Sequence, residues 1–344
     1  MELNRGTEPA YAGVGLTFSR TPLVLRPEDL VGADVAIVGA PIDETTVVRP
    51  GARYGPRAIR QADPSGAPPS RHHMDLGVDP FEVLTVVDHG DAEVVPADPA
   101  RSHEAIRGAV RDVMAAGAVP LVLGGDHSIL HPDAGAAAEA LRPASLGVIH
   151  FDAHADDAEH LYGVRRSHGT PVRLLVEEGA VRGEHIVQVG LRGYWPGPEE
   201  FAWARERGLV WFTQGEIDER GFDAVMDDVI EIARAPDHLW LSVDIDVVDP
   251  GAAPGTGAPE PGGLQPRELL AAVRRIAVEL GFAGMEVVEV SPPYDHAEVT
   301  ALLANRVVLE ALSGLALRRL GGEPRPERPA RGGPDFSSAD RRGP

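Results

Sequence analysis

Three short polar clusters each terminate an apolar run in this sequence of 344 residues. GGDHS, with Asp126 and His127, follows VPLVL. DAHAD, with Asp152, His154 and Asp156, follows LGVIHF, and DIDVVD, with Asp244, Asp246 and Asp249, lies in and after LWLSV. Carboxylates gathered out of water lose hydration and repel one another, so they stay charged only beside a countercharge. No basic residue occurs in any of the clusters, which leaves metal ions in that role. Residues i, i+2 and i+4 of an extended segment project to one side. Asp152, His154 and Asp156 are therefore expected to face one point, as are Asp244 and Asp246. Carboxylate with imidazole and no thiolate suits a borderline-hard divalent ion, Mn²⁺ first, with Ni²⁺, Co²⁺ or Zn²⁺ as alternatives. Two histidines and four carboxylates are enough for two ions if some carboxylates bridge. Two ions ~3.5–4 Å apart can hold one water between them and lower its pKa toward neutrality. A lone Asp-x-Asp is ordinarily surface or capping chemistry; the weight rests on the repetition at strand ends.

Those strand ends need a scaffold, and the hydrophobic pattern predicts one. Apolar runs at 35–40, 119–125, 146–154, 185–192, 239–249 and 284–290 read as strands. Amphipathic segments at 104–117, 222–235, 267–281 and about 300–320 read as helices. Apolar strands alternating with helices indicate an α/β fold, a parallel sheet covered on both faces, whose ligands sit beyond the carboxyl ends of the strands. We expect an N-terminal segment over 1–30, a single catalytic domain over 31–320, and a disordered tail over 321–344, where Pro, Gly and charge replace anything to bury. Apolar residues make up 43% of the chain, so a sizeable core is available. The net charge of −21 opposes binding to nucleic acid or anionic membranes and suits cationic partners. The absence of cysteine excludes disulfides, thiolate metal sites and a cysteine nucleophile. The first residues show no secretory signal, and no apolar run reaches the ~18 residues of a membrane helix, so a soluble cytoplasmic protein is expected.

At these residues the chain resembles the ureohydrolases, the family of arginase, agmatinase and related guanidino-acid hydrolases. GGDHS, FDAHADD and SVDIDVVDP match its three metal signatures in order. GAPIDETTVVRPGARYGPRAIR (39–60), VVDHGD (86–91), SHGTP (167–171), APGTGAPEPGG (253–263) and MEVVEVSPPYD (285–295) extend the likeness over about residues 30–320. The resemblance implies a three-layer fold around a parallel sheet of about eight strands, and a homo-oligomer, a trimer or hexamer. It also implies two Mn²⁺ per chain: one held by His127, Asp152, Asp156 and Asp244, the other by Asp152, His154, Asp244 and Asp246, with Asp152 and Asp244 bridging. Glu289 would pair with the substrate guanidinium through two parallel hydrogen bonds, with Glu286 as its nearby competitor. Asp246 would relay a proton, and His168 would shuttle one to the leaving amine. The reaction implied is hydrolysis of a guanidino group to urea and a primary amine.

The substrate tail is read by loops. AEHLYGVRRS (158–167) lacks the Asn/Ser-rich pattern of arginases and is closer to the agmatinase, guanidinobutyrase and proclavaminate amidinohydrolase branch. Arg165 and Arg166 offer a carboxylate partner, which points to a guanidino acid such as 4-guanidinobutyrate, with agmatine beside it. Ala258 stands where the family usually has Thr, and LRGYWPGPEE around Trp195 lies where substrate loops are expected; both point to a larger guanidino intermediate as an alternative. A metal-dependent amide or formimino hydrolase, and a metal-binding homologue without catalysis, are the other readings. His131, His160, His185 and the His72–His73 pair are expected at the surface or in loops, the pair at the pocket rim. Arg49, Arg53 and Arg57 are expected to shape a loop or a subunit contact.

Overall fold

The computed structural model describes residues 16–63 and 71–321. The first half of the N-terminal segment and the tail beyond Gly321 lie outside the described residues. β-rich runs form β1 (Val35–Ala40), β2 (Val86–Asp91), β3 (Val119–Gly124) and β4 (Leu146–Phe151), then β5 (Ile186–Leu191), β6 (Val210–Thr213), β7 (His238–Asp244) and β8 (Gly284–Val288). They build one eight-stranded sheet in the order β2-β1-β3-β8-β7-β4-β5-β6, with every neighbouring pair parallel. The expected α/β fold with its parallel sheet is thus observed.

Strand side chains alternate between faces, and the core follows that alternation. Leu121, Leu123, Ile149, Phe151, Leu241 and Val243 pack in one buried cluster with the helices Pro266–Glu279 and Val299–Arg319. Val122, Val148 and Trp240, between them in sequence, belong to a separate cluster with Pro99–Ala115 and Leu130–Ala140. The two clusters are the helical layers on either side of the sheet. β2 and β6 escape the hydrophobic pattern because they are the edge strands. VVDHGD is half polar and VWFT is four residues long, as edges commonly are.

The helix Val299–Arg319 departs from the sequence reading in another way. Its length and hydropathy match those of a membrane span, yet 78% of its most apolar window is buried inside the protein. It is apolar all round because it lies in the core.

The connections decide where a ligand can sit. The chain leaves β3, passes to β4 and runs outward to β6, then returns to lay β7 and β8 in the gap between β4 and β3. The reversal puts the carboxyl ends of β3, β8, β7 and β4 side by side, the position where parallel sheets bind ligands.

The packing at β7 and β8 leaves no tolerance. A Cβ on Gly284 would lie 2.1 Å from the Trp240 ring, which is fully buried. Gly284→Ala is expected to lower stability by about 1–3 kcal/mol through overpacking. Gly108→Ala, in mid-helix with nothing within 4 Å, is expected to raise it by about 0.4–1 kcal/mol. Denaturant titration of both variants checks the contrast.

Candidate metal centre

Each cluster sits where a strand stops and the backbone turns. After β3, a Cβ on Gly125 would lie 2.1 Å from the Ile42 carbonyl oxygen, so the chain passes there without a side chain. Asp126 then caps a short 3₁₀ turn, His127–Ile129, by accepting from Ser128 N–H at 3.1 Å. β4 ends at Phe151, and Asp156 already has left-handed backbone with φ 48°. β7 ends at Asp244, and Asp246 lies on the 3₁₀ turn Ile245–Val247. The expectation that an extended segment aims these residues at one point is therefore corrected. A straight strand rises ~3.3 Å per residue and would spread Asp152 and Asp156 over ~13 Å. The turns gather them instead.

The gathering is tight. His127 Nδ1 lies 3.0 Å from Asp152 Oδ2, 3.0 Å from Asp156 Oδ2 and 3.2 Å from Asp244 Oδ2. His154 Nδ1 lies 3.1 Å from Asp246 Oδ2 and 3.5 Å from Asp152 Oδ1. One imidazole nitrogen carries at most one proton and cannot serve three carboxylate oxygens. His127 Nδ1 and Asp152 Oδ2 are buried without a well-formed hydrogen bond. Donor atoms of the two adjoining groups, His127-His150-Asp152-Asp156 and Asp152-His154-Asp246, lie within 4.8 Å of one another in each. Lone pairs converging on points no proton can fill fit a pair of divalent cations, and the N/O donor set suits a borderline-hard ion.

The electrostatics express the same strain. Burial opposes charge on His127 and His154, but the carboxylates facing them outweigh it and push both imidazoles well above the ordinary value. Burial likewise resists charge on Asp152, yet the imidazoles of His127, His150 and His154 close around it hold it well below the usual carboxylate range. Asp244 goes the other way, raised by burial and then by the charges of Asp246 and Asp152. Backbone amides help: Asp152 accepts from His154 N–H at 2.6 Å, Asp244 from Asp246 N–H at 2.8 Å and Asp246 from Ala153 N–H at 3.1 Å.

Sequence reasoning missed the layer behind the cluster. His150, on β4, stacks on His127 with centroids 4.9 Å apart. Its Nδ1 accepts from the Gln188 amide at 3.2 Å, which leaves the proton on Nε2, 3.2 Å from Asp152 Oδ2. His150 thus orients Asp152, in the way that outer partners fix metal ligands. The signal was a polar residue in an otherwise apolar strand. His127 Nε2 is hydrogen-bonded to Ser242 Oγ at 2.8 Å, and Ser242 donates to Glu286 Oε1 at 2.8 Å. Glu286 is fully buried and lies outside the cavity lining, so it supports His127 and does not compete with Glu289 for a ligand. Asp249 holds the Gly251 and Gly262 amides at 2.8 and 2.7 Å, a loop-shaping role away from the cluster.

A cavity of about 220 Å³ opens over the cluster, with His154, Asp156, Asp244, Asp246, His168 and Glu289 in its wall. Larger clefts of about 600 and 530 Å³ contain none of these residues. Glu289 has left-handed backbone, φ 61°, directly after β8. Its Oε1 accepts from His127 N–H at 2.9 Å and pairs with His168 Nδ1 at 3.2 Å, while buried Oε2 has no partner. A Cβ on Gly257 would lie 2.8 Å from Oε2, so a side chain on the PGTG loop there would displace that carboxylate. Burial lowers the His168 pKa, but the hydrogen bond and charge of Glu289 prevail, and it is pushed up to about 9.

Other expectations are corrected. Arg165 pairs with Glu177 at 2.6 Å and Arg166 with Glu178 at 3.5 Å, both about half exposed, and neither lines the cavity. His73 is partly buried and pairs with Glu310 at 2.9 Å, and His72 faces a separate cleft, so the pair does not rim this pocket. His131 and His185 are buried, not superficial, and His131 pairs with Glu178 at 2.9 Å. His160 is exposed as expected. Arg53 pairs with Asp43, which also accepts from Gly51 N–H, and Arg49 lies over the Tyr294 ring, so both shape the 43–53 loop.

The same arrangement of elements recurs in known proteins. Residues 33–314 match the model of the arginase family. Proclavaminate amidinohydrolase of Streptomyces clavuligerus is 40% identical over 88% of this chain and 94% of its own. Its solved structure superposes with a TM-score of 0.82 at 38% identity, covering 90% of this chain and all (100%) of that one. Guanidinopropionase of Pseudomonas aeruginosa is 38% identical over 90% of this chain and 93% of its own. The structure of Trypanosoma cruzi formiminoglutamase with Mn²⁺ has a TM-score of 0.76 at 27% identity, covering 86% of this chain and 96% of that one. A family match over residues 33–314, with a relative 40% identical over 88% of the chain, shows that the chain belongs to the arginase family.

Proposed function

We propose that residues 31–320 form a dinuclear amidinohydrolase that converts a linear guanidino compound to urea and a primary amine. The observation that carries it is the free Oε2 of Glu289 beside two adjoining metal-ligand groups in one cavity. A buried carboxylate oxygen without a partner suits a ligand that brings both a positive charge and N–H donors, and a guanidinium brings both. The relatives' names, with their guanidino acids, support that class, and they put guanidino acids and agmatine among the first compounds to assay.

His127, Asp152, Asp156 and Asp244 would hold one ion, and Asp152, His154, Asp244 and Asp246 the other, with Mn²⁺ favoured over Ni²⁺, Co²⁺ or Zn²⁺ by the donor set. When bound, such a pair lowers the pKa of a water between them, so that a nucleophile is available at neutral pH. The chain's own residues do the rest. Glu289 fixes the guanidinium plane over the cluster. Asp246, in the cavity wall, accepts the proton lost by the attacking water. His168, whose pKa Glu289 raises to about 9, lies 3.2 Å from that carboxylate and can pass a proton from Nδ1 to the leaving nitrogen as the guanidinium takes its place. The bond from the guanidino carbon to that nitrogen then breaks, the proton of the added hydroxyl ends on the amine, and the proton on Asp246 restores His168, so that guanidinium and water become urea and an alkylammonium ion with atoms and charge conserved.

Urea release from guanidino compounds after Mn²⁺ loading tests the reading, and metal analysis should give close to two ions per chain. Asp152→Asn should lose most of both metal and activity; an active, metal-free protein refutes the mechanism. Glu289→Gln should lower kcat/KM about 10- to 100-fold, the worth of a charged hydrogen bond; unchanged kinetics refute the clamp. Metal uptake must displace the protons that the cluster holds on His127 and His154. Apparent affinity should therefore fall as pH falls, with proton release visible by calorimetry in buffers of different ionisation enthalpy.

A further inference from the structure

The cavity divides by chemistry. Its floor is carboxylate and imidazole, whereas its mouth is Val47, Val48, Leu161, Gly169, Trp195 and Ala258. The mouth residues converge: a Cβ on Gly169 would lie 3.4 Å from Leu161 Cδ2 and 3.8 Å from Trp195 Cη2. The Trp195 ring is tilted over His154, with centroids 6.2 Å apart. Leu161 stands at the base of a two-residue hairpin turn. It exchanges both backbone hydrogen bonds with Val164 at 2.9 Å. Tyr162 and Gly163, at φ 50° and 80°, supply the left-handed pair that such a turn needs.

No permanent cation lines this mouth among the described residues. The chain contains no lysine, so arginine would have to serve. The arginines of the surrounding loops are engaged elsewhere: Arg49, next to Val48, lies over the Tyr294 ring and outside the lining, Arg53 pairs with Asp43, Arg165 with Glu177, Arg166 with Glu178, and Arg192 with the carbonyls of Asp246, Val247 and Glu260. A carboxylate tail would exchange water for apolar walls with no partner, above a floor of like charge. An ammonium tail would find no carboxylate at the mouth. A hydrocarbon tail forfeits no hydrogen bond and buries apolar surface on both sides.

We propose that this mouth selects guanidines with an uncharged, apolar alkyl or aryl tail over those ending in carboxylate or ammonium, with Trp195 and Leu161 as specificity-determining residues. The proposal rests on the guanidinium reading of the floor, and it narrows the substrate class within it. The cavity of about 220 Å³ falls below the roughly 300–1,000 Å³ of drug-sized sites, so it takes the guanidinium and a short run of carbons. The rest of a longer tail would emerge past Val48, which is 61% exposed.

Dissociation constants of the Mn²⁺-loaded full-length chain, measured by calorimetry in the cold for pentylguanidine, agmatine and 4-guanidinobutyrate, test this, with urea release followed in parallel. Pentylguanidine should bind at least ~10-fold tighter than 4-guanidinobutyrate, with agmatine between them. Trp195→Ala should erase most of that ratio, and Trp195→Phe should keep it. Tighter binding of 4-guanidinobutyrate, or an unchanged ratio in Trp195→Ala, overturns the proposal. If no compound releases urea while the affinity order holds, hydrolysis is refuted and the selectivity of the mouth stands.

Discussion

Repulsion among buried carboxylates is the constraint on which this architecture depends. Asp126, Asp152, Asp156, Asp244, Asp246 and Glu289 are all buried, and they meet at the carboxyl ends of the central strands. In a medium that solvates charge poorly, such a gathering survives only with counterions or shared protons. The fold supplies partial answers in backbone amides and imidazoles, and it leaves converging lone pairs for cations to complete. Metal affinity and stability are in this sense one quantity: whatever neutralises the cluster also relieves the scaffold.

The layer behind the ligands extends that logic. His127 is tied through Ser242 to Glu286, and Glu286 adjoins Asp133 on the neighbouring helix. Burial pushes both of these carboxyls up, so they meet without adding a full pair of charges. His150 and Gln188 do the same for Asp152 from the other side. Ligand orientation is thus set two residues deep, by groups on β4, β5, β7 and β8 that the central sheet itself keeps in register.

Much of this was legible before any coordinates. The central strands are long apolar runs, and the polar residues that follow them stand out because nothing else in the pattern is polar there. The edge strands were not legible, since β2 is half polar and β6 is short. The ligand turns were not legible either: alternation suggested straight segments, whereas φ 48° at Asp156 and the 3₁₀ turn at Asp246 depend on local backbone that periodicity does not encode. His150 and Ser242 were hidden inside apolar strands, where one polar residue reads as an exception, and Glu286 was legible only as a rival to Glu289. Arg165 and Arg166 were misleading for the opposite reason. Their charge was visible, but the glutamates at 177 and 178 that claim them lie a helix away.

The floor and the mouth of the cavity are anchored differently. Floor residues continue the central strands, so displacing one disturbs the sheet. Leu161 sits on a short hairpin that surface ion pairs fasten to the helix Pro171–Glu177. Trp195 follows β5 in a loop of its own. Such parts can drift in sequence with little cost to folding. The protein is therefore built as a fixed engine beneath an interchangeable fitting, and descent with modification can redirect it to new compounds without reinventing its chemistry.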